Sequence, residues 1–302
     1  MGYHLRIQKT IDHIERHLDE PLALGELAEL AGFSDFHYHR VFLMMVGDTV
    51  MEYVRKRRLA RAACELAADP GRKIVDVAFE HGFRTHETFT RAFKRMFGMT
   101  PAEHRRSGIR TPPYPQVDVL QSRYNSYLGG IRMDYRIETK PAFKLIGYAL
   151  ETSCVEGRNL KEIPAFWQRH IENEGWKRIP NAAYPDRPVE LGISTDMNME
   201  SGVFTYLIGM EVNHFDNVPD DLVCREFPEA EYAVFTTPKA ERQKFSLTIQ
   251  ATWKAIFEEW FPHSGYEHAG GPEIEWYDER SGPNAGDEQQ MDIYIPIKRS
   301  AG

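Results

Sequence analysis

The tightest constraint on this chain is that it states one phrase twice. GFSDFHYHRVF, from Gly32 to Phe42, returns as GFRTHETFTRAF, from Gly82 to Phe93. Leu24, Leu27, Ala28 and Gly32 match Ile74, Val77, Ala78 and Gly82 at a constant offset of 50. Arg40, Phe42 and Gly47 then match Arg91, Phe93 and Gly98 at an offset of 51, so one residue is inserted in the turn between. An apolar helix, a Gly at a tight turn and a second helix with a polar first turn make a helix-turn-helix. The second helix of such a unit fits the major groove of DNA, which is about 12 Å wide. Its first turns must then offer donors and acceptors rather than apolar bulk. One copy offers His37, His39 and Arg40, and the other offers His86, Glu87, Thr90 and Arg91. Arg can bond guanine through two donors, and Glu can accept from cytosine N4. Phe42 and Phe93, two positions past each Arg, are predicted to point inward. Two copies in phase argue against a helical bundle with a chance Gly-Phe recurrence.

The rest of the front half also reads as helix. Ile7, Ile11, Ile14 and Leu18 fall at helical spacing, and Ser34 suits the N-cap of a helix ending near Gly47. A long helix over 50–68 joins the two copies, stopped by Asp69-Pro70-Gly71. It carries a basic run, Lys56-Arg57-Arg58, that is equally consistent with a solvated face. His37 and His39 are two residues apart on a helix, so they point in different directions and make no metal pair. Neither a metal nor a cofactor is expected.

The charge changes sign along the chain. Residues 1–110 hold 18 Lys+Arg and 15 Asp+Glu, a net of +3, while residues 111–302 hold 19 and 30, a net of −11. Only the front half is suited to phosphates. Between the halves, TPPYPQVDVLQSRYNSYLGG breaks any helix with three prolines and ends in Gly129-Gly130. After it the period changes to that of strands: FKLIGYAL, FTYLIGMEV, YAVFTT and MDIYIPI are β-branched and aromatic. Two amphipathic helices, near 160–174 and 245–261, sit among them. The order is β-α-β-β twice, each helix marked by a Trp, Trp167 and Trp253. No apolar run approaches the roughly 20 residues of a membrane span, and the amphipathic start is not a signal peptide. Three scattered cysteines, Cys64, Cys154 and Cys224, fit a reducing cytoplasm.

Residues 5–107 resemble the DNA-binding domain of AraC/XylS-family transcription regulators. GFRTHETFTRAFKRMFGMTPAEHRR fits that family's second unit closely, whereas Tyr38, Leu43 and Val50 depart from the usual residues of the first. The resemblance implies groove contacts from Phe36, His39 and Arg40, and from His86, Glu87, Thr90 and Arg91. Residues 133–299 resemble the GyrI-like effector-binding domain, most locally in PEIEWYDE and MDIYIPIK. Together the halves resemble the Rob-like arrangement of the family. The second resemblance implies a pocket with one acid among aromatics, taking an amphipathic or cationic ligand. Glu275 matches the acid, and Tyr148, Phe166, Trp167, Tyr206, Trp253, Trp276 and Tyr277 are wall candidates or simply core. Strand alternation puts Glu273, Glu275 and Tyr277 on one face and Ile274 and Trp276 on the other.

The expected architecture is thus two domains. Residues 1–110 form an all-α double helix-turn-helix, 111–132 a linker, and 133–302 an α+β tandem β-α-β-β domain. The expected function is a cytoplasmic, ligand-responsive DNA-binding regulator rather than an enzyme. Its partners would be double-stranded DNA, a small-molecule effector and RNA polymerase, with no membrane. Two alternatives remain: a small-molecule hydrolase with Glu275 as general base, or a protein-recruitment module.

Overall fold

The computed structural model describes residues 2–69, 71–107, 114–120, 135–187, 189–282 and 285–300. The chain divides into two compact units, Met1–Arg123 and Tyr124–Gly302.

The first unit is helical: α1 (Tyr3–Arg16), α2 (Leu24–Ala31), α3 (Asp35–Val46), α4 (Val50–Ala68), α5 (Ile74–Glu80), α6 (His86–Phe97) and α7 (Pro101–Ser107). The sequence repeat is a repeat of backbone conformation. Gly32 and Gly82 have φ of +69° and +76°, and Gly47 and Gly98 have φ of +85° and +74°. Each pair turns the chain where an L side chain would be strained. Thr49 caps α4 and Thr85 caps α6, each accepting a backbone N–H three residues on. Phe42 and Phe93 are fully buried, as their place after the Arg positions predicts. Phe93 and Phe89 share a core with Leu59, Ala62 and Leu66 of α4, so the connecting helix is part of the second helix-turn-helix's interior.

The basic run of α4 is internal bracing. Arg57 forms a two-pronged pair with Glu15 of α1 (2.7 and 2.8 Å) and also donates to the Tyr114 carbonyl. Arg58 donates to the carbonyls of Leu18 and Glu20, and Lys56 pairs with Asp48 at 2.7 Å. A planar five-donor guanidinium suits this multiple bracing of carbonyls and carboxylates.

Most of the expected 111–132 linker lies outside the described residues. Its described part, 114–120, is laid along α1 and α4. The Tyr114 hydroxyl donates to Asp48 (2.5 Å), Gln116 to Asp12 (2.9 Å), and the Val119 N–H to Gln8 (3.0 Å). Val119 is buried.

The second unit runs β1 (Tyr135–Lys140), β2 (Phe143–Ser153), α8 (Asn159–Glu172), β3 (Glu190–Thr195), β4 (Val203–Val212), β5 (Val223–Phe227), β6 (Ala230–Thr236), β7 (Ala240–Glu241), α9 (Phe245–Ala255), α10 (Phe261–Ser264), β8 (Tyr266–His268), β9 (Glu273–Tyr277), β10 (Glu288–Gln289) and β11 (Asp292–Arg299). A wide turn, Ile256–Trp260, joins α9 to α10 just before Pro262, whose missing N–H interrupts the regular ladder. The main sheet is antiparallel, in the order β1-β6-β11-β9-β3-β4-β2-β5, with β8 added to β11. That order is palindromic. β2-α8-β3-β4 and β6-α9-β9-β11 are the two β-α-β-β halves, meeting where β3 pairs with β9. Each half also lends the strand before it to the other: β1 pairs with β6, and β5 with β2.

The sheet has two different faces. Leu145, Leu191, Ile193, Leu207, Val234 and Ile274 form one apolar cluster, against which Trp276 packs. The other face carries Tyr206, Glu275 and Tyr277 and meets the indoles of α8 and α9.

Candidate functional site

Two regions carry chemistry, one in each unit. In the first, α6 presents the face the sequence assigned to reading DNA. Its first turn is aligned by Thr85 at the N-cap, and Phe89 and Phe93 anchor its inner side. About one hundred degrees per residue then puts Glu87, Thr90 and Arg91 on the outer side. His86, Glu87 and Arg91 are exposed and Thr90 is half-buried, its hydroxyl 3.5 Å from His86 Nε2. This is a row of donors and acceptors on one accessible helix.

α3 differs. His37 is buried, with Nε2 2.8 Å from the Tyr3 hydroxyl and its ring edge-on to Phe33. The sequence put Phe36, His39 and Arg40 on a solvent-facing surface. The structure leaves Phe36 half-buried, His39 with no exposed surface and Arg40 only 8% exposed. The face expected to read DNA is thus less exposed on α3 than on α6.

In the second unit, Glu275 is the centre. It sits on β9 opposite Gly192 of β3, at the junction of the two halves. Tyr206 donates to its Oε2 at 2.6 Å and Tyr277 to the same oxygen at 3.1 Å. The Trp253 indole donates to Oε1 at 3.0 Å. Behind Tyr206, the Trp167 indole donates to the phenol oxygen at 2.9 Å. The two tryptophans that mark corresponding helices in the sequence thus converge on one carboxylate. Burial pushes the Glu275 carboxyl up, and the three donors oppose that rise. Burial beside the carboxylate holds the Tyr206 and Tyr277 hydroxyls far above neutrality, so both remain donors. Linked donors of this kind polarise one another.

Gly192 makes the arrangement possible. A Cβ there would lie 2.2 Å from the Tyr206 hydroxyl oxygen and 3.0 Å from Glu275 Oε2. Close approach, not backbone conformation, requires glycine at this position. No local sequence pattern marks it, because the need arises only when β3, β4 and β9 are side by side.

The remaining wall candidates divide. The Trp167 and Tyr277 rings are 4.7 Å apart by centroid and flank the carboxylate. Tyr148 lies one ring farther out, edge-on to His170 at 5.4 Å, its hydroxyl donating to the Gly175 carbonyl. Phe166 is half-buried under the Arg169 guanidinium at 5.9 Å, and no hydrogen bond or ring contact joins it to the Glu275 group among the described residues. Trp276 is not brought to Glu275 at all. It faces the opposite side of the sheet, against Tyr294, Tyr184 and the Lys140 ammonium. Its inclusion as a wall residue is corrected by the alternation of the strand itself. Glu273 shares the Glu275 face but is buried against His268 at 3.1 Å. Sequence reasoning missed a further pair beside the site: His170 of α8 and Glu190 of β3, with Nε2 and Oε1 2.5 Å apart.

Among the described residues, no cluster of His, Cys, Asp or Glu could hold a metal ion, and no helix is long and apolar enough to cross a membrane.

Comparison with known proteins places both units. The helix-turn-helix domain family matches residues 27–107, and the integron-associated effector binding protein family matches residues 136–297. The right origin-binding protein of Escherichia coli K12 is 30% identical over 304 residues, covering 97% of this chain and 98% of that protein. The transcriptional regulator Rob of Salmonella typhimurium is 43% identical over 112 residues, which are 35% of this chain and 38% of that one. The regulatory protein SoxS of Salmonella typhimurium is 37% identical over 105 residues, 35% of this chain and 97% of that one.

Proposed function

Because the chain belongs to the AraC-type regulators that join a helix-turn-helix region to an effector-binding domain, we propose that its cleft at Glu275 senses an apolar cation and biases DNA binding. The chain is a DNA-binding transcription regulator with a C-terminal effector-binding domain. What that domain binds is read from the chemistry of Glu275.

The carrying observation is a carboxylate held by three neutral donors, Tyr206, Trp253 and Tyr277, with no basic side chain bonded to it among the described residues. A desolvated carboxylate without a counter-ion is costly, and a cation supplied by a ligand relieves that cost. Trp167, Trp253 and Tyr277 supply ring faces that attract the same cation and cover its apolar groups.

On the DNA side, His86, Glu87, Thr90 and Arg91 are the base-reading residues of α6. Phe36, His39 and Arg40 are the corresponding residues of α3. Two such helices on one chain would address successive groove segments about 34 Å apart.

All five tryptophans lie between 167 and 276, so tryptophan emission reports on the effector domain alone. Titration with benzyltributylammonium, an aromatic monocation, is expected to quench it saturably. Glu275→Gln keeps the shape and an acceptor oxygen, and is expected to weaken binding by about tenfold or more, the cost of one charge-assisted contact. Equal affinity in wild type and Glu275→Gln would overturn the reading.

A further inference from the structure

We propose that Glu190 forms a second anionic subsite beside Glu275, and that the preferred ligand of the pair carries two cationic centres. The inference rests on the reading of Glu275 above and extends it. In the β3–β9 register, Gly192 faces Glu275 and Glu190 faces Tyr277. Residues two apart on a strand share a face, so Glu190 and Glu275 are diagonal neighbours on the same side of the sheet, about 7–8 Å apart or somewhat less between Cβ atoms.

The partner of Glu190 is His170, whose Nε2 is 2.5 Å away. His170 is 5% exposed, and its Nδ1 has no hydrogen-bond partner, because Gly175 closes over it. A Cβ at Gly175 would lie 2.3 Å from that nitrogen. An imidazolium would bury the Nδ1 proton without an acceptor, which is expensive. The neutral imidazole that donates from Nε2 leaves only a bare acceptor at Nδ1. In that tautomer His170 orients the Glu190 carboxylate through one hydrogen bond from Nε2. Among the described residues, no Lys or Arg forms an ion pair with Glu190 or Glu275. The Glu190 side chain is 22% exposed, so it can be reached.

The rings join the two acids into one site. Tyr277 lies opposite Glu190 and donates to Glu275. Trp167 packs on the Tyr277 ring and stands edge-on to His170 at 5.9 Å. Two carboxylates on one face, with aromatic rings beside them, repel each other when both are ionised. A ligand with cations at both ends of an aromatic body removes that repulsion, whereas a monocation removes half of it.

Ethidium and propidium test this directly. They share one phenanthridinium ring, and propidium adds a quaternary ammonium on a propyl arm. Binding to the full chain, without DNA, is measured by calorimetry for wild type, Glu190→Gln and Glu275→Gln. Wild type is expected to bind propidium about tenfold more tightly than ethidium. Glu190→Gln should remove that preference while leaving ethidium affinity within about twofold, which also shows that the variant is folded. Glu275→Gln should weaken both dyes. Equal affinity of the dyes for wild type, or a preference that survives Glu190→Gln, overturns the second subsite and leaves the Glu275 reading standing. If neither dye binds, or neither responds to Glu275→Gln, both fall together.

Discussion

Gly192→Ala is the sharpest structural probe of the effector site. The added methyl would sit 2.2 Å from the Tyr206 hydroxyl oxygen, well inside ordinary van der Waals contact. Tyr206 is 2% exposed and its hydroxyl is tied both to Trp167 and to Glu275, so its ring has little room to yield. Overpacking of this kind costs about 1–3 kcal/mol. Loss of the bond to the carboxylate adds about 1.5–3 kcal/mol where it breaks outright. Replacing glycine in a strand returns roughly 0.5–1 kcal/mol. The net expectation is a loss of about 1.5–5.5 kcal/mol from the effector domain. Urea unfolding followed by tryptophan emission measures it, since all five tryptophans lie in that domain. A second variant separates the clash from a general defect. Tyr206→Phe removes the offending oxygen, so Gly192→Ala should cost at least about 1 kcal/mol less in that background. Additive effects of the two substitutions, or a neutral Gly192→Ala, would refute the packing argument.

Three further outcomes follow from the DNA-binding unit. Arg91→Ala should weaken binding to a selected DNA site by about 1–3 kcal/mol and relax one base position, measured by anisotropy; unchanged affinity would mean that α6 does not read the groove. Gly82→Ala and Gly98→Ala both force an L residue to a φ of +76° or +74°, yet only the Gly82 methyl meets a neighbour, the Arg58 guanidinium at 2.7 Å. Gly82→Ala should therefore cost about 1 kcal/mol more, the worth of a disturbed Arg58 bond to Leu18 or Glu20, and the difference should vanish in Arg58→Ala. Burial pushes the His104 imidazole down, since it is enclosed by Phe93 and Phe97. A ring kept neutral by folding gives its full stability above its unfolded pKa of about 6.5 and loses it as the pH falls below. Thermal unfolding followed by far-ultraviolet circular dichroism should weaken with acid in wild type and less so in His104→Phe; parallel pH profiles would contradict this.

The fold is legible in the sequence where one residue class repeats at a fixed spacing. Two glycines per copy and an Arg-x-Phe in each second helix announce the double helix-turn-helix, and all four glycines take the left-handed turn. Period-2 alternation alone separates Glu275 and Tyr277 from Trp276, and the sheet keeps that separation. Adjacency in sequence, which makes Trp276 a wall candidate, carries less information than the pleat. Pairs that form only across the sheet are invisible in the sequence. Gly192, His170 and Glu190 carry no local signal, because their meaning comes from the β3–β9 register and from α8 lying over it. The basic run in α4 is ambiguous for the same reason. Arg57 and Arg58 become interior braces only once α1 and its following turn lie beside them.

The central claim is that an apolar cation at Glu275 changes how the chain binds DNA. The most direct measurement selects a bound site from a random duplex pool, then records its affinity with and without saturating benzyltributylammonium. Coupling of sites typically changes affinity about 5–150-fold, and the DNA must change cation affinity by the same factor. The account predicts such a shift in wild type and its loss in Glu275→Gln. DNA affinity that ignores the cation, or shifts equally in Glu275→Gln, would contradict it.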